Sequence, residues 1–130
     1  MGSSLAKAIL VARTVVDSIL SYSQMLHPRE AILLLNGKID KQRIVVNDTQ
    51  IPPLATHGTA FSTFPLHMLP IDFSTIGVAH SHPSGALRPS VMDLNKFYGS
   101  IMVITAYPYL SEKSLAIFDR EGKSLKYEVL

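Results

Sequence analysis

The chain has 130 residues, 47% of them hydrophobic, with 12 basic against 10 acidic side chains for a net charge of +2, and no cysteine. That length suits one domain with a sizeable core, burying roughly two-thirds of its unfolded surface without disulfide staples. The lack of thiols excludes zinc ribbons and cysteine-ligated deaminases and accords with a reducing, cytoplasmic setting; charges scattered without a basic cluster argue against nucleic acid as a partner.

The first predicted element runs from Ser4 to about Met25, where Leu5, Ile9, Ala12, Val15, Val16, Ile19 and Leu20 recur at the three-to-four spacing of an amphipathic helix. Lys7, Arg13 and Asp17 interrupt it, so it is neither a membrane span nor a signal peptide. Packing against a sheet is favoured over a dedicated partner-binding role. Met1 to Ser4 reads as an expression scar, and Gly2 lacks the Ser or Thr at position 6 that myristoylation requires. Glu30 follows His27-Pro28-Arg29 and precedes Ala31-Ile32-Leu33-Leu34-Leu35, an apolar run that reads as an internal strand. A carboxylate at such a mouth is either a solvated strand-edge residue or a general base. The other three glutamates lie towards the C-terminus.

Strands are predicted at 31–36 and 43–47 with a turn at Gly37-Lys38 between them, then an irregular stretch from Asp48 to Gly58 around Ile51-Pro52-Pro53. Further strands follow at 59–64, 74–80, 101–106, 114–119 and 124–129, the last two joined by a hairpin turn at Glu121-Gly122-Lys123. The result is an α/β single domain: a mixed, largely antiparallel sheet flanked by two or three helices, with no internal repeat. Thr59, Ala60, Phe61, Ser62, Thr63 and Phe64 precede Pro65, which favours a sheet edge. That segment is either an ordinary edge or a place where an extended substrate tail adds a strand.

The densest chemistry lies between His80 and Asp93. Residues two apart on a strand share a face, so His80 and His82, at the end of Ile76-Gly77-Val78-Ala79, project together. Pro83, Gly85 and Pro89 force a turn-rich excursion. The segment from Ser90 to Phe97 then starts a helix that swings Asp93 back towards the imidazoles. Two nitrogens and a carboxylate oxygen make a three-ligand set that leaves zinc's fourth position open, the arrangement of catalytic sites. Ser90-x-x-Asp93 also fits a helix capping box, and that reading stands beside the metal one. Ser81 and Ser84 are poor nucleophile candidates, because the histidines beside them are committed to metal. His27, His57 and His67 have no partner at ligand spacing and read as surface or loop residues.

These residues resemble the JAMM, or MPN-plus, zinc metalloproteases, whose pattern is a glutamate, then His-Ser/Thr-His-Pro, seven residues, Ser, two residues and Asp. Here it reads Glu30, then His80-Ser81-His82-Pro83 through Ser90-Val91-Met92-Asp93. His27-Pro28-Arg29-Glu30 resembles the family's lead-in to its glutamate, and Leu66-His67-Met68-Leu69-Pro70 and Ile104-Thr105-Ala106-Tyr107-Pro108-Tyr109 look like the short stand-alone archaeal members. The resemblance covers most of the chain and implies an MPN, cytidine-deaminase-like fold. It implies zinc on His80, His82 and Asp93, Glu30 as general acid and base, and Ser90 as a hydrogen-bond donor to the oxyanion. It also implies hydrolysis of the amide between the C-terminus of a ubiquitin-like modifier and a lysine.

Met102 follows Asp93 by only nine positions, so the second specificity insertion of the eukaryotic relatives is absent, which favours broad action on small modifiers. Alternatives are a peptidase trimming linear extensions or sulfur-carrier adducts, and an MPN scaffold subunit. Scaffold relatives usually lack ligand residues, whereas this chain has the whole set. A bacterial family tied to DNA repair has a similar motif but normally carries Asn where Ser81 stands. A homodimer or another MPN chain is the expected protein partner, with no membrane association.

Overall fold

The computed structural model describes residues 7–52 and 74–130. In chain order these form β1 (Ala8–Val11), α1 (Arg13–Leu26), β2 (Ile32–Ile39), β3 (Arg43–Gln50), β4 (Thr75–His82), α2 (Val91–Asn95), β5 (Ile101–Ala106), β6 (Leu115–Phe118), β7 (Ser124–Leu125) and β8 (Glu128–Val129). The strands make one mixed sheet in the order β7-β6-β5-β4-β2-β3-β1-β8. Pairs β1–β3, β1–β8 and β4–β5 are parallel, and β2–β3, β2–β4, β5–β6 and β6–β7 are antiparallel. No helix among the described residues is long and apolar enough to cross a membrane.

Strand alternation divides the core between the two faces of the sheet. Leu33, Leu35, Ala79, Val103 and Ile117 face α1, whose Val15, Val16, Ile19 and Leu20 form its buried stripe. Ile32, Leu34 and Val78 meet Tyr98 on the opposite face, and Met102, Ile104 and Phe118 meet Phe97 and Leu94. With both faces covered, β4 and β5 are buried along nearly their whole length, which is why 76–79 and 101–104 read as apolar runs rather than as alternating ones.

β7 and β8 occupy opposite ends of the strand order, yet Leu125 and Glu128 are three residues apart in the chain. Three residues reach at most about 11 Å, whereas eight flat strands would separate the edges by about 34 Å. The sheet must therefore curl round α1, and Leu125, Tyr127 and Val129 pack into the cluster that α1 anchors.

Three expectations need correcting. The helix begins at Arg13 rather than near Ser4, because Ala8–Val11 is a strand paired on both sides, with Ile9 and Val11 alternating into the core. Those apolar positions fit either period, and pairing decides. Gly37-Lys38 is not a turn: β2 continues through a bulge there to Ile39, and any Cβ on Gly37 would collide with the Val45 carbonyl. The chain reverses after Ile39 instead, where Asp40 Oδ1 accepts from the N–H groups of Gln42 and Arg43, 2.8 Å each. The expected strand at 124–129 is two short strands on different edges, a consequence of the curl. The hairpin turn before it forms as expected, with Gly122 at φ 83°. The segment 59–64, together with His57 and His67, lies outside the described residues.

Gly77 sits on β4 where the parallel neighbour approaches most closely: an added Cβ would strike the Ile101 carbonyl and lie 3.0 Å from Ile101 Cγ1. Gly77→Ala is expected to destabilise the fold by roughly 3 kcal/mol, lowering the melting temperature measured by circular dichroism by roughly 10 °C.

Candidate active site

β4 ends on the motif, and its pleat turns His80 and His82 to the face away from α1 while Ala79 and Ser81 face the α1 side. His80 is 3% exposed and His82 8%. The excursion after Pro83 is held by Gly85 N–H to the His82 carbonyl, 3.0 Å, and by His82 Nδ1–H donating to the Ala86 carbonyl, 2.9 Å. That second bond fixes the ring's orientation and turns Nε2 towards Asp93. Ser90 then caps α2: its Oγ accepts from Asp93 N–H at 3.0 Å, and its own N–H donates to Asp93 Oδ2 at 2.8 Å. The capping box is real and is also what delivers the carboxylate, so the two readings of Ser90-x-x-Asp93 are one device.

Asp93 spans both imidazoles, with Oδ1 3.3 Å from His80 Nδ1 and Oδ2 3.1 Å from His82 Nε2. Zinc bonds of about 2.0–2.2 Å in a tetrahedron imply ligand separations of roughly 3.3–3.5 Å. The three residues offer ligand atoms that all lie within 4.8 Å of one another. Two imidazoles and a carboxylate match zinc's donor preference, and three protein ligands leave a position open. The donor set therefore fits a zinc ion.

For His80 and Asp93, protonation favours the same role. Burial pushes His80 down to about 4, with His82 adding to the effect against the opposing Asp93 charge, so its imidazole is neutral at pH 7. For Asp93, burial pushes up, but the bonds from His82 and Ser90 and the His80 field outweigh it and hold the carboxyl at about 2. Burial likewise pulls His82 down, and the Asp93 and Ala86 hydrogen bonds overcome it to give a net upward shift.

Glu30 enters by register. Ile32 pairs with His80 in the antiparallel β2–β4 ladder, and Ser81 N–H donates to the Ala31 carbonyl at 3.0 Å. One step further along that ladder brings Glu30 opposite His82. Glu30, His82, Ser90 and Asp93 line one cleft of about 550 Å³, together with Pro28, Ser84 and Arg88. Partial desolvation lifts the Glu30 carboxyl above its ordinary value; His82 opposes that shift and Asp93 reinforces it. Among the described residues its side chain makes no hydrogen bond, which leaves the carboxylate available to a substrate. All five motif residues meet at this cleft or directly behind it.

Sequence reasoning missed the contacts that His27 makes. His27 lies in the turn after α1, as expected, but its Nδ1 is 3.2 Å from the Tyr109 hydroxyl and its ring stacks on Tyr107 at 4.4 Å. These contacts span some eighty positions, and no local pattern announces them.

A model of the prokaryotic homologues of the JAB domain matches residues 12–119. A probable metalloprotease of Haloferax volcanii is 34% identical over 127 residues, an alignment spanning 92% of this chain and 78% of that protein. The crystal structure of a JAB1/MPN domain protein from Archaeoglobus fulgidus superposes with a TM-score of 0.69 at 27% identity, covering 96% of this chain and 99% of that one. A solved structure described as a metalloprotease-like zinc site in the proteasome and signalosome gives 0.69 at 28% identity, covering 95% and 99%.

Proposed function

We propose, from the premise that the chain belongs to the prokaryotic JAB-domain family and has a JAMM-type metalloprotease-like zinc site, that it hydrolyses the amide joining the C-terminus of a ubiquitin-like modifier to a lysine. The observation that carries the reading is the convergence of His80, His82, Asp93, Ser90 and Glu30 on one open cleft. His80, His82 and Asp93 hold the zinc. When bound, zinc supplies Lewis acidity that polarises a carbonyl and makes water a competent nucleophile near neutral pH.

The chain's own groups do the rest. Glu30 takes the proton from the attacking water, and its upward-shifted carboxyl suits a group that must both accept and release one. The same carboxyl hands that proton to the leaving amine, which needs it because lysine's reference pKa is near 10.4. Ser90's hydroxyl lies against Asp93, and rotation about its C–O bond aims the proton into the cleft at a developing oxyanion. An extended modifier tail is admitted along an open cleft rather than a closed pocket.

Ser90→Ala is expected to keep stoichiometric zinc, because the backbone N–H of residue 90 still holds Asp93 Oδ2. It loses roughly 10²-fold in kcat and about 1 kcal/mol of stability with the cap. Steady-state kinetics alongside metal analysis check both.

The function itself is tested by incubating the zinc-loaded chain with a ubiquitin-like protein joined to lysine through an isopeptide bond and identifying products by mass spectrometry. Release of the intact modifier and free lysine amine, abolished by a chelator, is the expected result. Cleavage of a linear C-terminal extension with the isopeptide left whole would reassign the chain to a trimming peptidase, and no cleavage of either would favour a scaffold role.

A further inference from the structure

We propose that Arg88 is a specificity-determining residue, whose guanidinium engages a carboxylate that the substrate carries within one or two residues of the scissile bond. The inference rests on the isopeptidase reading of this cleft and adds the charge of the substrate that it prefers.

Among the described residues that line the cleft, Arg88 is the only Lys or Arg. Arginine stays charged at any working pH and presents five N–H donors in a planar fork that matches a carboxylate. Here that fork makes no hydrogen bond and no ion pair among the described residues. The two carboxylates of the same cleft are otherwise engaged. Asp93 faces His80 Nδ1 at 3.3 Å and His82 Nε2 at 3.1 Å and accepts from Ser90 N–H at 2.8 Å, and Glu30 is the proton carrier. The guanidinium is therefore left to a group that arrives with the substrate.

Its backbone is held by the anchors of the metal site itself. On one side the Ala86 carbonyl accepts from His82 Nδ1–H at 2.9 Å; on the other, Ser90 is locked to Asp93 by both bonds of the capping box. Only Leu87, Arg88 and Pro89 bridge the two, and Pro89 fixes its own φ and biases the residue before it towards an extended backbone. Two residues span at most about 7 Å, so the Arg88 backbone stands that close to Ser90, whose hydroxyl is assigned to the oxyanion. An extended substrate advances about 3.3–3.6 Å per residue, which puts side chains one or two positions from the scissile bond within reach of the long arginine. Leu87, Val91 and Met92 beside it are exposed and apolar. A carboxylate meeting Arg88 on that rim is steered by one charge with no neighbouring acid to compete along the segment.

The test uses two pairs of isopeptide conjugates of a ubiquitin-like protein with a lysine peptide. In the first pair the residues flanking the lysine are Asp or Lys; in the second the flanks are Ala, and Asp or Lys replaces the modifier residue two positions before its C-terminus. For the zinc-loaded wild type, kcat/KM should favour the acidic over the basic member of at least one pair by roughly tenfold, and the pair that responds identifies where the carboxylate sits. Arg88→Gln should bring that ratio within twofold of unity, and Arg88→Glu should invert it. Raising the salt concentration should shrink the wild-type ratio. Because each ratio is taken within one variant, a general loss of folding or zinc cancels. No preference in either pair, or a preference that survives Arg88→Glu unchanged, would overturn the proposal. If wild type cleaves neither pair, the isopeptidase reading fails on its own. The intact conjugates then serve as ligands, and the same inversion, or its absence, is read in their Kd by fluorescence anisotropy.

Discussion

His82→Ala is expected to yield a folded protein that retains no stoichiometric zinc after dialysis and hydrolyses nothing above background. His82 Nε2 sits 3.1 Å from Asp93 Oδ2 and is aimed there by the Ala86 carbonyl on the opposite ring nitrogen. Its loss leaves two candidate ligands, one fewer than catalytic zinc sites use. It also removes a partner that helps hold the Asp93 carboxyl at about 2. Lewis-acid assistance is worth several kcal/mol, so activity should fall by roughly 10³-fold or more. Metal analysis by mass spectrometry after exhaustive dialysis is the check. One equivalent of zinc surviving in the variant would remove His82 from the ligand set.

Glu30→Gln should do the reverse to metal and the same to chemistry. Glu30 is not among the residues whose ligand atoms converge, so zinc binding should be unchanged. The amide keeps the size of the side chain but can no longer accept a proton from water or deliver one to the amine. General acid and base contributions are typically 10²–10⁴-fold, and because one group serves both steps the loss should lie near the upper end. Paired kcat and zinc measurements separate this from a structural effect. Lost metal would make Glu30 a ligand, and retained activity would move the proton carrier elsewhere.

The opposite behaviour of these two variants follows from what the sequence made legible. His80 and His82 could be assigned to one face because strand alternation is rigid, and Glu30 stood out by its place before an apolar run and by the family pattern; the β2–β4 ladder of the structure is what carries it to His82. Asp93 was readable because a helix start at Ser90 swings it back towards the imidazoles, and the cap that stood as the competing reading is what the structure uses to do so. What stayed hidden depends on contacts far apart in the chain. Ile9 and Val11 fit helix and strand equally until β3 and β8 pair with β1. Gly37 looks like a turn until the Val45 carbonyl is found against it. His27 looked bland because Tyr109, whose hydroxyl it meets, stands 82 positions away.

The central claim is that His80, His82 and Asp93 together hold one zinc ion in the cleft that Glu30 lines. Anomalous diffraction from crystals of the zinc-loaded protein, collected on both sides of the zinc edge, tests it most directly. The account predicts one strong peak per chain at about 2.0–2.2 Å from a nitrogen of each histidine and an oxygen of Asp93. A peak bonded elsewhere, or none at this cleft in crystals that contain stoichiometric zinc, would contradict it.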